Sequence, residues 1–174
     1  MNCKIKWSLS PITSFPPQNK IPLHAFKKLN QNIFIMYPIE LVRPMTQELE
    51  NSGFESLSSK DQVVSALTAD QGTVLLVVNS VCGCAAANAR PGVRMALQQE
   101  QKPAKLVTVF AGVDQEATAK AREFLLPYPP SSPAIALFKD GRLVHILERH
   151  QIEGRSAQMI ADNLSHAFQT YCQN

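Results

Sequence analysis

Cys82-Gly83-Cys84 is the place in this chain where residue types and spacing promise covalent chemistry. Two thiols one residue apart can attack a disulfide, bond to each other, or ligate a soft metal. They follow an apolar, β-branched run, Thr73 to Asn79, and open an alanine-rich segment that reads as a helix. Cys82 is therefore expected near a helix N-terminus, where free N–H groups and the dipole favour the thiolate, the nucleophilic form of cysteine. Between Asp70 and Arg90 there is no charged residue and no histidine, so no sequence neighbour can act as general base. Activation has to come from the helix end or from residues brought in by the fold.

Attack by Cys82 on an external disulfide gives a mixed disulfide that Cys84 can resolve. The small ring of a C-x-C disulfide predicts a weaker reductant than a relaxed C-x-x-C, suited to isomerisation or to clearing mixed disulfides. Two other readings stay open on the residues alone. Cysteines at a strand-to-helix turn are also ordinary packing residues. Two thiolates can also bind Zn or Cu(I), with His145, His150 and Cys172 as the remaining ligand candidates, none at a usual ligand spacing. Ser132-Pro133, just before a strand, is the second informative position: an X–Pro bond can be cis at little cost and would present backbone groups beside the cysteines, the alternative being a rigid trans loop.

The elements that must position these residues are legible as patterns. Pro38, Ile39, Val42, Met45 and Leu49 before Gly53 predict a helix over about 38–52, kinked at Pro44. Ser58 and Asp61 resemble a capping box for a short helix through Val63, Val64 and Leu67, ended by Gly72. Thr73–Asn79 and Lys105–Phe110 read as strands buried on both faces. The helix between them runs through Arg94 and Leu97 with a kink at Pro91-Gly92. Asp114 is a candidate N-cap for a helix that reaches Leu125 and stops at Pro127. Asp140-Gly141 joins strands 134–139 and 142–147 as a hairpin, and Ile160, Leu164, Ala167, Phe168 and Tyr171 mark the inner face of a closing helix. The order predicts an α/β sandwich: a four-stranded mixed sheet, two parallel strands beside an antiparallel hairpin, with helices on both faces.

At 174 residues, 45% hydrophobic and 18% charged, the chain is sized for one globular domain, and no apolar run approaches the roughly 20 residues of a membrane span. The net charge of +3 is unevenly distributed. Residues 1–35 hold five lysines, four prolines and no acid, whereas residues 36–174 carry 12 basic and 14 acidic groups. The basic pI thus belongs to the first segment and gives no support to nucleic-acid binding. Residues 1–35 read as a disordered basic leader or a misannotated start, with Met36 as the first residue, and residues 36–174 as the domain. Lysines and prolines interrupt every candidate signal-peptide core, and the acid-free composition resembles a transit peptide only in part. A reducing, cytoplasmic setting is expected, which brings catalytic thiols forward over structural disulfides.

With these residues in hand, the chain resembles the bacilliredoxin family, the C-G-C thioredoxin-like disulfide isomerases. The matching stretches are 77–86 (VVNSVCGCAA), Ala89-Arg90-Pro91, 107–112 with Asp114 and 116–120, 130–133 (PSSP) and 149–155 (RHQIEGR). The resemblance implies a thioredoxin-like fold and a cytoplasmic thiol–disulfide oxidoreductase that removes bacillithiol, or a similar small thiol, from S-thiolated client proteins. It implies Cys82 as the attacking thiol, Cys84 as its partner, and Pro133 at the fold's cis-proline position. No tightly bound cofactor is expected; a low-molecular-weight thiol is the co-substrate, and the protein is a monomer or weak dimer without nucleic-acid or membrane partners. Protein disulfide isomerisation by the same cysteines is the alternative. In such a fold Arg149 and His150 follow the last strand near the site, making Arg149 a candidate for a substrate carboxylate beside Ser132 and Pro133. Cys172, about 16 residues along a helix running away from the site, is expected far from Cys82 and not to resolve it.

Overall fold

The computed structural model describes residues 37–173. The expectations for residues 1–35 and for Met36 lie outside them. Helix α1 (Ile39–Glu50) runs unbroken across Pro44, and Gly53 at φ 91° turns the chain into strand β1 (Glu55–Ser56). Helix α2 (Lys60–Leu67) leads to β2 (Thr73–Asn79), which is buried along its whole length. A π-helical stretch (Ala85–Ala89) then feeds α3 (Arg90–Ala96). The rest of the chain is β3 (Lys105–Phe110), α4 (Gln115–Phe124), β4 (Ala134–Lys139), β5 (Arg142–Leu147), the one-turn α5 (Arg149–Ile152) and α6 (Ala157–Tyr171).

The sheet order is β1-β3-β2-β4-β5, with β1–β3 and β3–β2 parallel and β2–β4 and β4–β5 antiparallel. The expected four strands are therefore five. The extra strand, β1, is two polar residues long and has no alternation of its own; it exists because Glu55 and Ser56 pair with Val107 and Thr108 while Phe54 and Leu57 on either side are buried. Successive residues of β2 point to opposite faces. Leu75 and Val77 join Leu49, Val93, Ile160, Leu164 and Phe168 in one core, while Val74, Leu76 and Val78 join Val63, Leu67, Ala117, Ala121 and Phe138 in the other. Helices α1, α3 and α6 thus cover one face and α2 and α4 the other. Among the described residues no helix is long and apolar enough to cross a membrane.

Local chemistry departs from the sequence reading at four points. The capping box is Ser59 with Gln62, one position beyond Ser58 and Asp61: Gln62 N donates to Ser59 Oγ, and Ser59 N donates to Gln62 Oε1. Asp114 is the N-cap residue of α4, as expected, and its carbonyl accepts from Thr118 N at 2.8 Å, but its carboxylate turns back to accept from Phe110 N at 2.9 Å instead of capping the helix. Immediately before Pro91-Gly92, where a kink is expected, the helix widens into the π-helical stretch, and the helical segment that starts at Gly83 continues through Pro91 to Ala96. Helix α5 has no counterpart among the sequence-derived elements. The hairpin is as expected: Asp140 and Gly141 have φ of 51° and 72°, the signs that a two-residue type I′ turn requires.

Candidate active site

One end of the sheet gathers the residues singled out for chemistry. Cys82 lies three residues beyond Asn79, the last residue of β2, and the helical segment starts at Gly83. The Cys82 carbonyl accepts from Ala85 N and Ala86 N at 3.0 and 3.2 Å, which makes Cys82 the helix-capping residue. Its sulfur also acts as a cap, accepting from Ala85 N at 3.3 Å and from Ser80 Oγ at 3.2 Å. Cys82 and Cys84 are bonded to each other, with their Cα atoms 5.4 Å apart, and both are half-buried beside the exposed Gly83. Gly83 has open space where a Cβ would stand, so the turn is not crowded from above.

The Ser132–Pro133 bond is cis, as is Leu126–Pro127 just past the end of α4. Pro133 precedes Ala134, and Ala134 pairs with Val78 at the same end of β2 from which Cys82 departs. Strand β5 ends on this side as well, since Leu147 pairs with Ile135. Arg149 follows it at the start of α5, where its backbone N donates to Ser131 Oγ at 3.1 Å. The register therefore brings Cys82, Cys84, Ser132, Pro133 and the Arg149 backbone to one edge of the sandwich. The Arg149 guanidinium is half-exposed and pairs with Glu153 at 3.2 Å. The hydrogen bond and charge of that pairing hold the Glu153 carboxyl below the usual carboxylate range and raise the guanidinium above its own.

The metal-ligand candidates are dispersed. His145 sits opposite Leu137 in the middle of the hairpin and hydrogen-bonds Asn163 on α6. His150 is exposed on α5, with the Glu148 carboxylate 4.0 Å away. Cys172 is buried at the C-terminal end of α6 near Thr73 and Lys139, the opposite end of β2 from Cys82, as the length of the closing helix predicts. Burial pushes its thiol up, against the weaker pull of the Thr73 hydrogen bond and the Lys139 charge.

Sequence reasoning did not single out the polar network beneath the cysteines. Arg90, with only 3% of its side chain exposed, donates from Nε to Glu48 Oε2 at 2.6 Å, and from one terminal nitrogen to Asn79 Oδ1 at 3.2 Å and the Ser80 carbonyl at 3.3 Å. Asn79 in turn donates to the Met45 carbonyl and accepts from Ser80 N at 2.9 Å. The available signal was a lone arginine in a run of small residues, eight positions after Cys82, together with an asparagine ending an apolar strand. Asn88, on the same helical segment, donates to the Ile152 carbonyl and ties the segment to α5.

A mixed sheet with its central parallel strand leading into a helix capped by a bonded cysteine pair, and a cis-proline loop alongside, defines a protein of the thioredoxin-like class. The family model described as Disulphide isomerase matches residues 37–172. A protein named Bacilliredoxin from Cytophaga hutchinsonii is 60% identical over 133 residues, covering 76% of this chain and 98% of its own. A Bacilliredoxin from Bacillus cereus strain ATCC 14579 is 48% identical over 142 residues, covering 81% and 99%. A thioredoxin from Malassezia sympodialis superposes with a TM-score of 0.47 at 18% identity, over 69% of this chain and 91% of its own. The chain belongs to the bacilliredoxin family, described as disulphide isomerases, and is a thiol–disulfide oxidoreductase.

Proposed function

We propose that this oxidoreductase removes bacillithiol, or a similar small thiol, from mixed disulfides on client proteins, with Cys82 as attacking thiol and Cys84 as resolving thiol. The observation that carries the assignment is the asymmetry of the pair: the hydrogen bonds from Ala85 N and Ser80 Oγ both go to the Cys82 sulfur. Donors aimed at a sulfur stabilise it as thiolate, so of the two cysteines Cys82 is the better nucleophile at neutral pH.

In the first step the Cys82 thiolate attacks the small-thiol sulfur of the mixed disulfide. The client sulfur leaves with the bonding electron pair and takes up a proton, and the small thiol remains on Cys82 as a new disulfide. Cys84, as thiolate, then attacks the Cys82 sulfur and expels the small thiol, which leaves the Cys82–Cys84 disulfide. Two electrons from an external thiol reductant return the pair to dithiol, and a cytoplasmic setting supplies such reductants. The loop at Ser132-Pro133 offers backbone groups to the extended substrate segment that carries the mixed disulfide. Arg149 binds a carboxylate of the small thiol, competing with Glu153 for the guanidinium; Arg149→Ala then raises KM for the capped substrate by about tenfold at similar kcat, and an unchanged KM removes Arg149 from the site.

Disulfide isomerisation on protein substrates is the second reading, favoured by the family's description. The two separate in a transfer assay with reduced protein and a client carrying a bacillithiol cap, comparing wild type with Cys82→Ser and Cys84→Ser. Loss of uncapping in Cys82→Ser, with a single turnover retained in Cys84→Ser, supports the proposal. Loss in Cys84→Ser alone reverses the roles of the two cysteines, and rescue of scrambled disulfides without uncapping favours isomerisation.

A further inference from the structure

We propose that Arg90 is a positioning residue for the chemistry at Cys82, acting through Ser80. This deepens the proposed function and rests on Cys82 being the attacking thiol. A guanidinium with 3% of its side chain exposed has lost almost all its water, and such burial is tolerated only where partners satisfy the charge and the donors. Glu48 on α1 supplies the charge, at 2.6 Å from Nε. The Glu48 side chain is 40% exposed, so the pair is anchored at the rim while the guanidinium reaches inward.

What the inner end of Arg90 touches decides its role. One nitrogen bridges Asn79 Oδ1 and the Ser80 carbonyl, and Asn79 Oδ1 accepts from Ser80 N as well. The backbone of Ser80 is therefore held on both its N–H and its C=O sides by a rigid set of bonds, at the point where β2 stops pairing and the chain turns toward the cysteines. Two residues on, the Ser80 hydroxyl donates to the Cys82 sulfur at 3.2 Å. A serine on an untethered turn has several rotamers and competing acceptors; one whose backbone is fixed keeps its hydroxyl aimed at the sulfur without paying for that order in each reaction. The planar fork of arginine can span a carboxylate, an amide oxygen and a carbonyl together, whereas an ammonium is a point donor on a flexible stem. The Arg90 side chain hydrogen-bonds Glu48, Asn79 and Ser80 and neither cysteine; its effect passes through the position of Ser80.

The test reads the thiolate of Cys82 directly. The full-length reduced protein is alkylated with iodoacetamide across a pH series, and labelling at each cysteine is followed by peptide mass spectrometry, for wild type, Ser80→Ala, Arg90→Lys and the double variant, with thermal melts of each. Arg90→Lys keeps a positive charge opposite Glu48, so a change in that variant reports lost positioning and not lost charge. The midpoint of Cys82 labelling is expected to rise by about 0.5–1 pH unit in Ser80→Ala and in Arg90→Lys, and no further in the double variant, because both remove the same hydrogen bond. A wild-type midpoint in folded Arg90→Lys overturns the inference, and so does a double variant whose midpoint is the sum of the two single changes. If Arg90→Lys does not fold, Asn79→Ala, which removes the acceptor shared by Arg90 and Ser80 N, is expected to show the same rise, and a wild-type midpoint there is the contradicting result. Faster labelling of Cys84 than of Cys82 in wild type would instead contradict the proposed function, so the two failures are distinguishable.

Discussion

Two cysteines of this molecule sit at opposite ends of helices and at opposite ends of the same strand. Cys82 caps the N-terminus of the helical segment that follows β2, half-buried, and its sulfur receives a backbone N–H and a hydroxyl. Cys172 caps the C-terminus of α6 beside Thr73 at the start of β2, where burial pushes its thiol up. The dipole of each helix acts with the local donors in the first case and against ionisation in the second. One chain thus places two cysteine sulfurs of the same intrinsic chemistry at opposite helix ends, and the proposed function requires that this difference in setting make Cys82 the more reactive.

The largest effect that can break this contrast is on turnover. Cys82→Ser is expected to lower removal of the small thiol by at least about a thousandfold, as loss of a nucleophile does elsewhere, while Cys172→Ala leaves it unchanged in the same assay. Equal losses in the two variants would erase the distinction. Alkylation sharpens it: in the folded reduced protein at neutral pH, Cys82 should label about a hundred times faster than Cys172, and in denaturant the two rates should converge.

Gly92 links the two regions, because it lies on α3 where a Cβ would stand 2.7 Å from Ile160 Cβ and 2.9 Å from the Ala157 carbonyl of α6. Gly92→Ala is expected to cost about 1–3 kcal/mol by forcing the active-site helix off α6, measured by denaturant unfolding. An unchanged midpoint of denaturation would show that the two helices can separate freely.

The smallest expected effect concerns pH. The Cys172 thiol is raised in the folded state, so folding binds its proton more tightly; the associated stability is complete below the ordinary thiol range and is lost as pH rises through the folded value. Cys172→Ala should therefore flatten the alkaline limb of a Tm-against-pH profile while costing about 1 kcal/mol or less at neutral pH for the small cavity it leaves. A parallel limb in the variant would assign the alkaline loss to other groups.

How much of this contrast could be read from the amino-acid sequence depends on how local its causes are. Strands β2, β3 and β4 were legible because their apolar or β-branched runs admit few other uses, and β5 because Asp140-Gly141 is specific to a two-residue hairpin turn and so implies a strand after it. The helix end under Cys82 followed from the strand before it and the alanines after it. Strand β1 was illegible because its two polar residues are strand only by virtue of β3. The π-helical stretch was missed for a similar reason: an extra residue in a helix is set by what packs around it, and local propensity carries no mark of it. The capping box slipped by one because adjacent serines at 58 and 59 fit the pattern equally well, and Gln62 chose between them. The Arg90 network was the least legible part, since Glu48 lies 42 residues away and meets Arg90 only once α1 packs beside α3. Position on the chain thus placed Cys82 at a helix N-terminus with its nearest donors, Ser80 and Ala85, whereas the Glu48 carboxylate that pairs with Arg90 came from an element distant in sequence.

The central claim, that the Cys82 sulfur takes the small thiol and releases the client, is tested most directly by intact-mass analysis of the reduced Cys84→Ser protein after one turnover with a bacillithiol-capped client. A mass increase of one bacillithiol is expected, localised to Cys82 by peptide mapping, together with free client thiol. A covalent adduct of the client protein itself on Cys82 would contradict it, because the attack would then have fallen on the client sulfur.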